Sequence, residues 1–495
     1  MKKKLSLIMT MCIAVGLITG CSNSENGVKT ADTTTAPASS AAAETTTAAE
    51  TSAETTAAVT SATETANTDT TATAAVQPEK LVNDNRANTG DYTLKEVVVL
   101  SRHNIRAPLS SNGSVNELAT PHEWFEWTSN SSELSLRGGV LETEMGQYFR
   151  KWLESEELIP ENWLPDDKEI RIYANSKQRT LATAKYFSGG FLPAAADVKI
   201  EHHGEFGNMD ETFAPVIHYY SDAYAEAVAK QFEEYGGSAK IAEDVSANVE
   251  QLCDIIDYKD SKGYKSGELT DLDMTDTALS IAEGEEPTVS GSLKTACTIS
   301  DALVLQYYEE PDAKKAAFGK DMTDDMWKQT ADITTKFNLV RHGLPLVAIN
   351  TANPIIKEIK SEFTNKDRKF TFLCGHDCTV NGVLVSMDVK DYELPNTLEK
   401  RTPIGVKLVF EKWEDKDGKE FAAVELMYQS TEQLRGTTML DLNTPPAIYS
   451  LDFNGLEKNS DGLYAYDDII GRLEKALKAY DDLEKEYGNA LEEAA

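Results

Sequence analysis

Positive charge is scarce in this chain of 495 residues: 48 Lys and Arg stand against 82 Asp and Glu, a formal net charge of −34. Such a chain repels a phosphate backbone, which excludes nucleic acid as a partner, and any cluster of cations must act locally against an unfavourable long-range field. Cysteine is sparse too. Of the six, Cys12 falls in a leader and Cys21 has its own reading below, which leaves Cys253, Cys297, Cys374 and Cys378. An exported context permits disulfides, and Cys253 with Cys297 is the favoured pair because both fall in one helical region; for Cys374 and Cys378 the sequence does not decide between packed thiols and a bridge.

Long apolar runs are missing after the first few turns of chain. The run that exists, Leu5 to Ile18 behind Lys2-Lys3-Lys4, has the length and charge of a signal peptide (1–20) and is too short for a convincing permanent span. It ends in Ile18-Thr19-Gly20-Cys21, a lipobox-like sequence, so Cys21 is expected to carry diacylglycerol and to tether the protein to the bacterial cell envelope, outside the cytoplasmic membrane. Ordinary cleavage without lipid is the alternative. Over 21–90, Thr, Ala, Ser and Glu dominate and large apolar residues are nearly absent before Val76, so this segment cannot bury enough surface to offset its ordering entropy and reads as a spacer.

What is present is a strand-like run, Val97-Val98-Val99-Leu100, followed at once by Arg102-His103-Asn104-Ile105-Arg106-Ala107-Pro108. In open α/β sheets ligands bind beyond the carboxyl ends of strands, which is where Arg102 and His103 fall. Guanidinium groups stay charged and offer forked donors that match phosphate oxygens. A histidine between two of them is placed to attack a phosphorus atom, and nearby positive charge keeps its ring neutral in acid. A second cluster repeats the arrangement: Phe370-Thr371-Phe372-Leu373 reads as a strand, with Gly375-His376-Asp377 at its end and an apolar helix from Val380 to Met387. Phosphoryl transfer needs positioned cations and a proton donor, and no metal or other cofactor is strictly required.

Arg-His-x-x-Arg-x-Pro near the start and His-Asp near the end resemble the histidine phosphatase superfamily, in its branch of histidine acid phosphatases. The likeness is closer still to the bacterial glucose-1-phosphatases of that branch. It is carried by 101–109, Gly138 to Trp152, Tyr173 to Thr180, Met209 to Phe213, Gly375 to Asp377 and Arg401 to Gly405, and spans about Asp91 to the C-terminus. The resemblance implies a phosphate monoester as substrate, with His103 as a nucleophile that becomes a phosphohistidine. Arg102, Arg106, Arg179 and His376 would hold the phosphate, and Asp377 would protonate the leaving oxygen, which favours activity in acid. One departure is Thr379, where many relatives have Asn; its hydroxyl has a shorter reach. The fold implied is α/β, a mixed sheet flanked by helices, formed by 91–214 and 351–495, with a mainly helical second domain inserted at 215–350. Ser176 is a candidate N-cap placing Arg179 in the first turn of a helix.

Substrate choice has two readings, sugar phosphates such as glucose 1-phosphate or, as a phytase, inositol phosphates. A non-catalytic phosphate-binding lipoprotein is a third, disfavoured because a binder needs neither His103 nor Asp377. Glu286, in Glu285-Glu286-Pro287, resembles a carboxylate that overhangs the pocket and would repel additional phosphates; the plainer reading is a solvated acidic loop. Arg341-His342-Gly343 lacks the second arginine of the first motif and reads as a surface-exposed pair near a helix. His122-Glu123 and His202-His203 lack the further ligands of a zinc site. Asp415-Lys416-Asp417-Gly418 reads as a hairpin turn.

Overall fold

The computed structural model describes residues 86–109, 114–195 and 197–488. The leader, Cys21 and most of the spacer lie outside the described residues. Nine strands and nine helices of eight or more residues follow along the described chain. The strands are β1 (Tyr92–Arg102), β2 (Ile170–Ala174), β3 (Ala278–Ser280), β4 (Thr288–Ser290), β5 (Phe370–Gly375), β6 (Lys407–Asp415), β7 (Glu420–Tyr428), β8 (Ala447–Ser450) and β9 (Tyr464–Ala465). The helices are α1 (Leu136–Ser155), α2 (Gln178–Phe191), α3 (Asp222–Glu234), α4 (Gly237–Ile255), α5 (Ser292–Glu309), α6 (Asp324–His342), α7 (Asn353–Phe363), α8 (Asp377–Ser386) and α9 (Tyr466–Tyr487).

Seven strands form one mixed sheet in the order β2-β5-β1-β6-β7-β8, with β9 also on β7. β2, β5 and β1 run parallel, and β6 onward is antiparallel. Successive side chains of a strand point to opposite faces, and β1 shows the result. Val98 and Leu100 pack with Leu373, Leu408 and Ile356 of α7 on one side, while Val97 and Val99 pack with Phe372, Phe149 of α1 and Phe187 of α2 on the other. Leu141, Met145, Tyr148, Phe149 and Trp152 form the buried face of α1, as their helical spacing predicts.

A third core belongs to the helical layer, where Tyr224, Val249, Leu303 and Trp327 bring α3, α4, α5 and α6 together. This region is not purely helical. β3 and β4 pair antiparallel within it, from Ala278↔Ser290 to Ser280↔Thr288, and the turn between them carries Glu286. Strands of three residues are too short to show a period of two. The Asp415–Gly418 segment is a hairpin turn joining β6 to β7, with Gly418 at φ +79° and the Asp415 carboxylate accepting from the Asp417 and Lys419 amides. No helix of the described residues is long and apolar enough to cross a membrane.

Candidate active site

Register brings the predicted residues together. Ser101 and Arg102 of β1 lie opposite Cys374 and Gly375 of β5, and Ala174 of β2 also lies opposite Cys374. Three parallel strands therefore end side by side, delivering Arg102 and His103, His376 and Asp377, and Asn175 ahead of Arg179. The His103 backbone amide donates to the Gly375 carbonyl at 3.1 Å, and the two imidazoles meet edge to face with centroids 5.4 Å apart.

His103 is 4% exposed and its Nδ1 lies 2.9 Å from the Asn104 carbonyl. A carbonyl only accepts, so Nδ1 carries the proton and Nε2 keeps its lone pair. Burial, then Arg179, His376, Arg106 and Arg102, holds the ring well below its usual pKa, so it stays neutral in acid. The segment is fixed from beneath. Asn104 Nδ2 donates to Glu142 Oε2 at 2.9 Å, and Glu142 pairs with Lys407 at 2.9 Å. Gly138 of α1 packs so close to Ile105 that a Cβ would stand 2.3 Å from its carbonyl oxygen. Gly405, at φ +70°, takes a conformation that only glycine adopts freely and lies against the Asn104 amide.

His376 is held by Asn175. The Asn175 Oδ1 accepts the Asp210 amide at 2.9 Å, so its Nδ2 donates to His376 Nε2 at 2.6 Å, which fixes the ring and disfavours a second proton. Asp377 opens α8. Its Oδ1 accepts from the Cys378 amide at 2.9 Å, and its Oδ2 accepts from Asn338 of α6 at 3.1 Å and lies 3.5 Å from Arg102 Nη2. Burial alone would raise this carboxyl, but Arg102 foremost, with His376, the Cys378 amide and Arg106, outweighs it and holds Asp377 below the usual carboxylate range. The free protein thus favours the ionised form of Asp377, so its service as a proton donor calls for a source of the proton. Thr379 does not reach toward a ligand: its hydroxyl accepts the His376 amide at 3.3 Å and donates to the Phe213 carbonyl at 3.4 Å.

The arginines divide by their partners. Arg106 makes a forked pair with Asp301 of α5 at 3.1 and 3.3 Å. Arg179, in the first turn of α2, has no hydrogen-bond or ion-pair partner among the described residues, and burial with Arg106 pushes its pKa down to about 10. The Nε atoms of Arg102, Arg106 and Arg179 are all buried without an acceptor. Buried cations without full compensation are costly, and an anion in the cavity lined by Arg106 and Arg179 offsets their charge, while Arg102 lines the smaller space beside it. The cap of α2 is Lys177, one residue beyond the expected Ser176, whose side chain turns to His202.

His103, Arg106, Arg179, Glu286, His376 and Asp377 share the lining of one cavity of about 410 Å³. Glu286 is neither a bare gate nor a solvated loop residue. Arg341 Nη2 donates to its carboxylate at 2.6 Å and Arg341 Nε to the Pro287 carbonyl at 2.5 Å, so charge at the rim is compensated. Arg341-His342 is therefore not a surface pair: Arg341 lines the cavity, and His342 is buried at 1% exposure. The cysteine pairing also fails. Cys253, Cys297, Cys374 and Cys378 are all free thiols, and Cys297 and Cys378 line this cavity, one from α5 and one from α8. His122 instead pairs with Asp257 at 2.7 Å, and His203 bonds Tyr173 at 3.1 Å.

Sequence reasoning missed Asp301, Asn338, Lys177, Lys294 and Glu399, and set Arg341 aside as a surface residue. Asp301 and Asn338 sit on long helices of the covering layer, where a lone polar residue gives no local signal. Glu142 and Asp210 lay inside segments already singled out, but nothing in their spacing marked them as supports.

Three comparisons agree with this geometry. Residues 93–429 match the model of the histidine phosphatase superfamily (branch 2). The chain is 36% identical over 413 residues to a glucose-1-phosphatase of Providencia rettgeri, covering 82% of this chain and 96% of that one. It is 35% identical over 392 residues to a glucose-1-phosphatase of Salmonella typhimurium, covering 78% and 93%. Among solved structures the apo phytase of Hafnia alvei superposes with a TM-score of 0.71 at 23% identity, over 79% of this chain and 98% of that one, which speaks for the fold. With its two strand-end motifs in register and its family model matched across both, the chain belongs to branch 2 of the histidine phosphatase superfamily.

Proposed function

We propose that the protein hydrolyses small phosphate monoesters, sugar phosphates such as glucose 1-phosphate foremost, through a phosphohistidine at His103. One observation carries the reading: a buried imidazole whose Nδ1 is committed to the Asn104 carbonyl leaves Nε2 free in a cavity lined by Arg106, Arg179 and His376, with Arg102 lining the space that adjoins it. The arginines and His376 hold the phosphoryl oxygens, Nε2 attacks phosphorus, and Asp377 on the neighbouring strand end gives a proton to the leaving oxygen and then takes one from the attacking water. The depressed pKa of Asp377 fits this sequence if substrate comes first, because a phosphate dianion engages Arg102 and removes the charge that keeps Asp377 ionised.

Lys177 and Lys294, also on the cavity wall, favour a second reading in which inositol phosphates are the better substrates. A phosphate-release panel on the full chain, with chelator present, separates the two. The sugar-phosphate reading requires higher kcat/KM for glucose 1-phosphate than for inositol hexakisphosphate, and the reverse order supports the phytase. The Asp377→Asn variant should slow alcohol esters far more than 4-nitrophenyl phosphate, whose leaving group needs little protonation. A silent binder would release phosphate from neither.

The Ile18-Thr19-Gly20-Cys21 sequence supports export and lipid attachment at Cys21, with the acidic Thr/Ala-rich spacer holding the enzyme off the envelope. Fatty-acid labelling of wild type but not of Cys21→Ser is the expected result, and equal labelling contradicts it.

A further inference from the structure

Arg102 stands between two carboxyl groups. Its Nη2 is 3.5 Å from Asp377 Oδ2, and its Nη1 is 4.0 Å from Glu399 Oε1 while donating to the Thr402 carbonyl at 2.5 Å. Glu399 is 8% exposed, and its Oε2 accepts from the Tyr308 hydroxyl of α5 at 2.6 Å. Arg102, Asn338, Asp377, Glu399 and Thr402 line a small space of about 30 Å³ that adjoins the main cavity, with Asn338 and Asp377 on both linings. A water needs on the order of 10–15 Å³ of such space and two to four polar partners, so one fits here.

We propose that Glu399 stores the proton that loads Asp377, passing it through this space. The inference rests on the phosphohistidine reading above and adds to it the source of the acid's proton. One guanidinium cannot neutralise two carboxylates, one buried and one partly so. Asp377 has the nearer share of Arg102 together with the Cys378 amide and Asn338, all donors to the ionised form. Glu399 has two neutral donors, the Tyr308 hydroxyl and its own backbone amide, and a more distant arginine; burial, with Asp301 nearby, pushes its pKa up against the pull of Arg102, Tyr308 and that amide. The charged and titratable groups around it are Arg102 at the end of β1, Asp301 and Tyr308 on α5, Asp377 on α8 and Arg401 on its own loop. The stored proton sits on Oε1, since Oε2 already accepts from Tyr308.

The cycle closes without outside protons. When substrate phosphate engages Arg102, the Glu399 proton moves through water to Asp377. His103 Nε2 then bonds to phosphorus as the ester P–O bond breaks, and the leaving oxygen keeps the electron pair and takes the Asp377 proton. Water next attacks phosphorus, the P–N bond returns its pair to Nε2, and the water's proton passes to Asp377 and back to Glu399. Glu399 touches no substrate and is a positioning residue for the proton.

The test is Glu399→Gln in the full chain, which keeps the size and the Tyr308 contact. For glucose 6-phosphate, an alcohol ester, kcat should fall by about tenfold or more, while 4-nitrophenyl phosphate should change by less than about twofold. The alkaline limb of the glucose 6-phosphate profile should move to lower pH. Tyr308→Phe keeps the carboxyl but removes a donor to its ionised form, so the same limb should move to higher pH; it also carries the test if the Gln variant does not fold. Equal losses on both substrates, or an unshifted limb in either folded variant, overturn the proposal. Trapping of phosphate on His103 in wild type reports separately on the underlying reading: its absence removes the phosphohistidine itself, whatever Glu399 does.

Discussion

Glu142 of α1 and Lys407 of β6 form an ion pair at 2.9 Å with both side chains at 0% exposure, beneath the segment that carries His103. Two charges this deep are tolerated because each has further partners, Asn104 for the carboxylate and the Gly405 carbonyl for the ammonium. Removing one partner strands the other charge, at a cost of about 3–5 kcal/mol. Glu142→Ala should therefore lower Tm sharply. Replacing both, as Glu142→Leu with Lys407→Met, should recover most of the stability but not kcat, because Asn104 loses its anchor. Thermal unfolding and phosphate release on the same samples check this, and full activity in the double variant would show that the pair serves folding alone.

His342, at the end of α6, has both ring nitrogens without a hydrogen-bond partner among the described residues, and burial pushes its pKa down to about 3. In the unfolded chain the ring takes a proton near pH 6.5. The folded form does not, so below that pH the unfolded state binds more protons and stability falls as pH falls toward 3. At pH 5 the loss is roughly 2 kcal/mol, and His342→Leu should remove it. Denaturant unfolding at pH 8 and pH 5 is the measurement. Equal pH dependence in the variant and the wild type would contradict the assignment.

Much of the site was legible in the sequence because its residues follow strands directly. Val97 to Leu100 and Phe370 to Leu373 announce buried strands by composition, and whatever comes next must sit at a carboxyl end, so Arg102, His103, His376 and Asp377 were placed by chain continuity alone. β2 was harder. Ile170-Arg171-Ile172 carries an arginine that pairs with Glu201 and Glu362, which interrupts the apolar run. The covering layer was legible only as helix, because Asp301, Asn338 and Arg341 meet the site through packing of α5 and α6, which no local spacing encodes. The Cys253–Cys297 pairing failed for the same reason: shared membership of a helical region does not bring two side chains together.

Arg341 and Glu286 form the rim pair that tests selectivity. Glu286→Gln removes the carboxylate and leaves Arg341 as an uncompensated cation on the cavity, so kcat/KM for inositol hexakisphosphate should rise relative to glucose 1-phosphate, by several-fold. Arg341→Ala does the opposite, since it bares Glu286. Opposite shifts of the ratio in the two variants are the expected outcome at low salt, with both shrinking as salt is raised. A ratio that moves in the same direction in both would mean that the pair acts through the position of the β3–β4 hairpin and not through charge.

Phosphoryl transfer in this site turns on the free Nε2 of His103, and the most direct measurement is to trap the intermediate. Full-length protein mixed with a phosphate ester labelled on phosphorus is quenched rapidly under alkaline denaturing conditions, and the labelled peptide is identified. Label on His103 in the wild type, retained for longer in a variant that slows hydrolysis, and absent from a folded but inactive His103→Ala, is what this geometry predicts. Turnover by His103→Ala at most of the wild-type rate, or label on another residue, would contradict it.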